Sequence, residues 1–161
     1  MRKRSKYRPK PILQNPIGYV MEMVATVTSH KEYLTTLRIK NHGALAAITQ
    51  GKATKSDIDL IIAAFNITEA LFRRGFGTDY KREVAAGQIA LRAVAARGAE
   101  SGRFILKAEE MNALNDLMVL HDAQLDVISV LDLEQAVLDA RREFYAGKMI
   151  PILDKKPDAP V

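Results

Sequence analysis

Residues 111–128 read MNALNDLMVLHDAQLDVI. Within them Met111, Leu114, Met118, His121, Leu125 and Ile128 recur at alternating intervals of three and four. An α-helix turns once every 3.6 residues, so these positions share one face. The rhythm continues through Val130, Leu133, Val137, Ala140 and Phe144. The two runs are two helices meeting near Ser129, or one long helix bent there. Gly147 suits the end of the last one.

Working back toward the N-terminus, the same periodicity recurs between recognisable stops. Thr54 has the chemistry of an N-cap, with Asp57 in the first turn near the positive end of the helix dipole. The stripe that follows is Ile58, Ile61, Ile62, Phe65, Leu71 and Phe72. Arg73 and Arg74 fall at the negative end, and Gly75 stops the helix. Thr78 is placed to cap the next helix, expected to run to about Arg97. Its alanines (85, 86, 90, 93, 95 and 96) surround Tyr80, Val84, Leu91 and Val94, and small residues allow neighbouring helices to approach closely. Gly98 to Gly102 reads as a connector. Phe104-Ile105-Leu106 is an apolar helix entry or a short extended piece.

Before Thr54, Ser29-His30-Lys31-Glu32 matches the capping-box spacing. Tyr33, Leu34, Leu37, Ala44, Leu45 and Ile48 give a helical face ending at Gly51. Gly43 costs about 1 kcal/mol against alanine, so a bend or break is expected near residues 41–43. Asn15-Pro16 suits the start of a short helix over about 16–28, carrying Ile17, Val20, Met21 and Val24. No strand pair with turn chemistry occurs. The fold class is therefore all-α, a single-domain bundle of five to six helices over 16–147 that ends in a helical hairpin. It lies between an extended basic arm (1–15) and a tail (148–161) with Pro151, Pro157 and Pro160.

The arm dominates the charge. The chain has 161 residues, 24 Lys+Arg and 19 Asp+Glu, and a net charge of +5. Six of those cations are Arg2, Lys3, Arg4, Lys6, Arg8 and Lys10; set aside, they leave 18 of the 24 against the 19 acids. The rest is polarised as well. Residues 31–103 hold 12 positive against 7 negative, and residues 104–153 hold 4 against 9. Such a pattern can orient partners or pair protomers head to tail, and a homo-oligomer is one expectation. There is no cysteine, which excludes disulfides, thiol catalysis and thiolate metal sites and suits a reducing cytoplasm. No uncharged apolar run approaches 18 residues, so no membrane span is expected. Pro9, Pro11, Pro16 and Glu22 argue against a signal peptide.

Arg2, Lys3, Arg4, Lys6, Arg8 and Lys10 are the candidate nucleic-acid contacts, because Lys and Arg neutralise phosphates and release counterions. Tyr7 lies among them and is placed to stack on a base. Arg73, Arg74, Lys81 and Arg82 form a candidate secondary basic patch. A helix-turn-helix over 43–57 is disfavoured, since Gln50 and Lys52 stand where apolar residues are needed and Asp57 and Asp59 would repel phosphate. Gly51-Lys52-Ala53-Thr54 lacks the earlier glycine of a phosphate loop. His121 and Asp122 are adjacent, so they point about 100° apart on a helix and do not converge. His30 and His42 show no ligand spacing with them, so His121 is expected as a core histidine bonded to a neighbouring helix. Asn66, and Asn112 or Asn115, are expected as buried polar pins. Glu109-Glu110 complement a helix start. No catalytic residue, metal site or cofactor site can be assembled, and the expectation is a protein that is not an enzyme.

Three stretches carry a resemblance: Lys3-Arg4-Ser5-Lys6-Tyr7-Arg8-Pro9, Asn66-Ile67-Thr68-Glu69-Ala70-Leu71 and His121-Asp122-Ala123-Gln124-Leu125. Together, over most of residues 3–147, the chain resembles a group of small phage- and prophage-encoded proteins of proteobacteria that have no assigned activity. The resemblance implies an accessory protein made in the cytoplasm of an infected or lysogenic bacterium. It carries over no catalytic residue. The expected function is non-specific binding of DNA or RNA through the arm. The alternatives are a modulator or inhibitor of a bacterial host protein, or a structural or packaging component.

Overall fold

A computed structural model describes residues 31–146. The arm, the helix expected at 16–28, the Ser29 cap, Gly147 and the tail lie outside the described residues. Five α-helices follow one another: α1 (Lys31–Thr49), α2 (Lys55–Arg73), α3 (Lys81–Ser101), α4 (Ala108–Val127) and α5 (Val130–Tyr145). This is an all-α domain.

Local chemistry sets most of the boundaries. Thr54 and Asp57 close a reciprocal cap on α2: the Asp57 N–H donates to Thr54 Oγ1 at 3.4 Å and the Thr54 N–H donates to Asp57 Oδ2 at 2.7 Å. The Thr54 N–H and hydroxyl hold the Asp57 carboxyl below its ordinary pKa. Ser129 and Asp132 repeat the device on α5, with bonds of 3.0 and 3.2 Å, so the C-terminal runs are two helices. α1 ends in a Schellman arrangement at Gly51 (φ 67°), where the Lys52 N–H returns to the Ala47 carbonyl. α2 ends the same way at Gly75 (φ 101°), with the Phe76 N–H on the Leu71 carbonyl.

Three boundaries differ from the sequence expectation. α1 runs unbroken through Gly43. Asn41, Ala44 and Leu45 beside it are buried, and their packing outweighs a propensity cost of about 1 kcal/mol. Thr78 does not cap α3; Thr78–Tyr80 is a single 3₁₀ turn, and α3 begins at Lys81 without a side-chain cap. α3 also continues past Arg97 to Ser101. Gly98 is helical, and the ring of Phe104 folds back on it so closely that an added Cβ would lie 2.0 Å from the ring. Phe104-Ile105-Leu106 is therefore the extended piece, clamped by α3.

α2 is the hub and packs against each of the other four helices. α3 and α4 make the closest pair, with Gly87 against Leu117. The larger core joins α1 to α4 through Leu45, Ile48, Ile61, Phe65, Val84, Leu91, Leu114, Leu117 and Met118. Fully burying a side chain of this size is worth about 1.5–3 kcal/mol. A smaller core lies under α5, built on Leu34, Leu71, Leu125, Ile128 and Ala136. After Ser129 the chain turns so that α5 lays its face on α2. Among the described residues no helix is long and apolar enough to cross a membrane.

Candidate functional site: a histidine-centred polar seam

α1, α2 and α4 converge on a line of polar side chains inside an otherwise apolar bundle. α1 supplies Arg38, Asn41 and His42, which helical spacing places on one face with Leu34 and Leu45. α2 supplies Thr68. α4 supplies His121, Asp122, Gln124 and Asp126.

His121 is 1% exposed. Its Nδ1 lies 2.9 Å from Thr68 Oγ1, and its Nε2 lies 3.3 Å from Asn41 Nδ2. The Thr68 hydroxyl also lies 3.1 Å from the Ala64 carbonyl. A neutral imidazole donates from one ring nitrogen and accepts at the other, so it can serve both neighbours. Burial pushes the His121 pKa down to about 4; Asp122 opposes this, while Arg38 and His42 add to it. The expectation of a packed histidine bonded to neighbouring helices holds. Gln124 closes the inner end, with Nε2 donating to the carbonyls of Thr68 (3.2 Å) and Phe76 (3.0 Å).

The outer end is a charged clasp. Arg38 donates to the Asp122 carbonyl at 3.0 Å and to Asp126 Oδ1 at 2.6 Å. The Asp126 hydrogen bond is the main reason the Arg38 pKa is raised. His42 Nε2 meets Asp122 Oδ2 at 2.7 Å. Nothing local signals this pair, because the two residues are 80 positions apart and converge only when α1 packs beside α4. The readable traces were a polar stripe on α1 and two aspartates four apart on α4.

A second buried group lies on the far side of α2. Gln88 donates to Glu69 Oε2 at 2.9 Å and to the Phe65 carbonyl at 3.2 Å. Arg73 bridges Glu69 and Glu143. Burial raises the Glu69 pKa, and Arg73 only partly opposes it.

The sequence-predicted site residues are scattered. Arg2, Lys3, Arg4, Lys6, Tyr7, Arg8 and Lys10 lie outside the described residues. The secondary patch divides. Arg73 is paired as above, and Arg74 meets Asp139 at 2.9 Å. Lys81 and Arg82 stand exposed at the start of α3, where Arg82 lines a shallow cleft with Glu83, Glu109 and Asp116. At the end of α2 the two arginines thus face carboxylates of α5. Asn112 and Asn115 are exposed and Asn66 half-buried, so none is the buried pin expected; Asn41, Gln88 and Gln124 fill that role. Glu110 does serve the start of α4, accepting the Lys107 N–H at 2.9 Å, and Arg97 holds its pKa below the usual range.

Chemically, the seam locks helices together. Both His121 nitrogens are engaged, and His42 is hydrogen-bonded to a carboxylate. Among the described residues no group of three or more His, Cys, Asp or Glu is placed to hold a metal ion. Compared with known proteins, the chain matches no family model, no curated protein and no solved structure.

Proposed function

We propose that this is a non-enzymatic accessory protein of phage or prophage type, acting in the cytoplasm of a bacterial host cell, that binds DNA or RNA without sequence preference through Arg2, Lys3, Arg4, Lys6, Tyr7, Arg8 and Lys10. One observation carries the reading: excess positive charge is concentrated in the arm, while the domain offsets its own. Arg38, Lys55, Arg73, Arg74, Arg97 and Arg142 are all paired with carboxylates of the domain. Cations already paired release fewer counterions on binding a polyanion, so the arm is the stronger phosphate ligand. Each phosphate neutralised contributes a slope of about −0.9 in log affinity against log salt for duplex DNA. Three to five simultaneous contacts give a slope of about −3 to −5, with unrelated duplexes bound within about tenfold of one another. Titration of several duplexes over a salt series, with the full chain and with residues 2–10 deleted, is the test. A slope near zero, or unchanged affinity after the deletion, would overturn the reading.

The second reading is a modulator of a bacterial host protein. It is favoured by exposed apolar side chains on α4, Val119 and Val127, with Tyr80 lining one cleft with Val119. A stoichiometric host protein retained after nuclease treatment would support it over the first.

A further inference from the structure

Opposite the face that packs on α2, α5 carries a second stripe: Leu131, Glu134, Leu138, Arg141 and Tyr145. The intervals alternate three and four, so the five form one ridge. Leu138 is 50% exposed and Tyr145 83% exposed. Glu134 and Arg141 are exposed too. The ion pairs of α5 use Asp139, Arg142 and Glu143, and among the described residues neither Glu134 nor Arg141 forms one.

Counted outward from Leu138, the stripe complements itself. Four residues back is an acid, three forward is a base, and seven either way is an apolar side chain. We propose that this face pairs two copies of the chain, with the α5 helices antiparallel across a two-fold axis at Leu138. Leu138 then packs on the partner's Leu138, Leu131 on the partner's Tyr145, and Glu134 reaches the partner's Arg141. A two-fold pairing needs a surface complementary to itself, and this one is. The charges also select direction: a parallel pair would set acid against acid and base against base. A 16-residue helix is about 24 Å long, and a pair of them stays below the roughly 1,200 Å² of standard stable interfaces. The dimer is therefore weak, with a dissociation constant of roughly micromolar order. The inference rests on α5 and is independent of the nucleic-acid reading.

The experiment is sedimentation of the nuclease-treated full chain over roughly 1 µM to 1 mM, with circular dichroism confirming the fold of each variant. A monomer–dimer equilibrium is expected. Glu134→Arg should weaken it roughly tenfold or more by placing like charges together, and Leu138→Glu should abolish it. The double swap Glu134→Arg with Arg141→Glu should restore it, which a merely structural role for either residue would not do. A monomer at every concentration overturns the proposal, including one in which Leu138→Glu lowers the melting temperature because the chain covers this face itself. A dimer indifferent to Glu134→Arg and Leu138→Glu places the interface elsewhere and also overturns it. Loss in Glu134→Arg without recovery in the double swap overturns the antiparallel register.

Discussion

Where α3 meets α4, a Cβ added at Gly87 would lie 2.4 Å from Leu117 Cδ2, so the two backbones are as close as a hydrogen side chain permits. Where α5 meets α2, Arg73 and Arg74 reach out to Glu143 and Asp139, and Ala136 is the only fully buried side chain of α5. The first contact is apolar and dense. It gains dispersion and hydrophobic energy and tolerates no added volume. The second is held at its rim by partly exposed ion pairs, each worth about 0–1 kcal/mol, which orient the helix more than they stabilise it. Two helices of one bundle are thus attached with different strength, and the more weakly attached one presents the self-complementary face.

The largest expected effect tests that difference directly. Leu117 is fully buried in the larger core, and Leu133 is half-buried in the smaller. Leu117→Ala should cost about 2–5 kcal/mol in urea unfolding, and Leu133→Ala about 1 kcal/mol. Equal costs would mean that the two cores are alike.

The polar seam joins the two regions, and pH probes it. His121 titrates at about 4 in the fold and near 6.5 unfolded, because burial disfavours its charged form. Between those values the unfolded chain binds more protons, so stability falls as pH drops from 6.5 toward 4. The contribution is on the order of 3 kcal/mol. Buried Glu69 acts in the opposite sense, since a raised carboxyl pKa removes stability as pH rises above 4.5. The readout is therefore the difference between wild type and His121→Leu. At pH 7 the variant should be less stable by about 1–3 kcal/mol, because Asn41 and Thr68 lose a buried hydrogen-bond partner. That deficit should shrink toward pH 4, and a constant one would refute the assignment of the titrating group.

Gly87→Ala should destabilise by about 1–3 kcal/mol despite alanine's better helix propensity, because Leu117 must move. Gly43→Ala meets open space in an unbroken helix and should stabilise by about 0.5–1 kcal/mol. Thermal denaturation of both variants sharpens the contrast between a glycine that packing requires and one that it does not.

The expectations that held depend on neighbours along the chain. Thr54 and Asp57 are three residues apart, so their cap was legible. So was the His121 stripe, since its periodicity is local. Those that failed depended on packing, which a linear reading does not contain. Gly98 is helical because Phe104 folds onto it, and Gly43 is helical because Asn41, Ala44 and Leu45 are anchored beside it. The pairing of Arg73 and Arg74 with Glu143 and Asp139 was not legible, because it forms only when α5 packs on α2. Of the candidate site, the packed histidine was readable, but its relay to Thr68 and Asn41 and the His42–Asp122 clasp were not.

By itself, then, the sequence determined the helical class, both limits of α2, the C-terminal stop of α1 and the concentration of cations in residues 2–10. Turn periodicity, capping and charge are properties of short stretches. Only the tertiary structure decided which polar groups lie buried, which cations are already paired and which apolar side chains stay exposed. Those outcomes require side chains of different helices to meet, and a side chain's hydration and protonation are set by what meets it there.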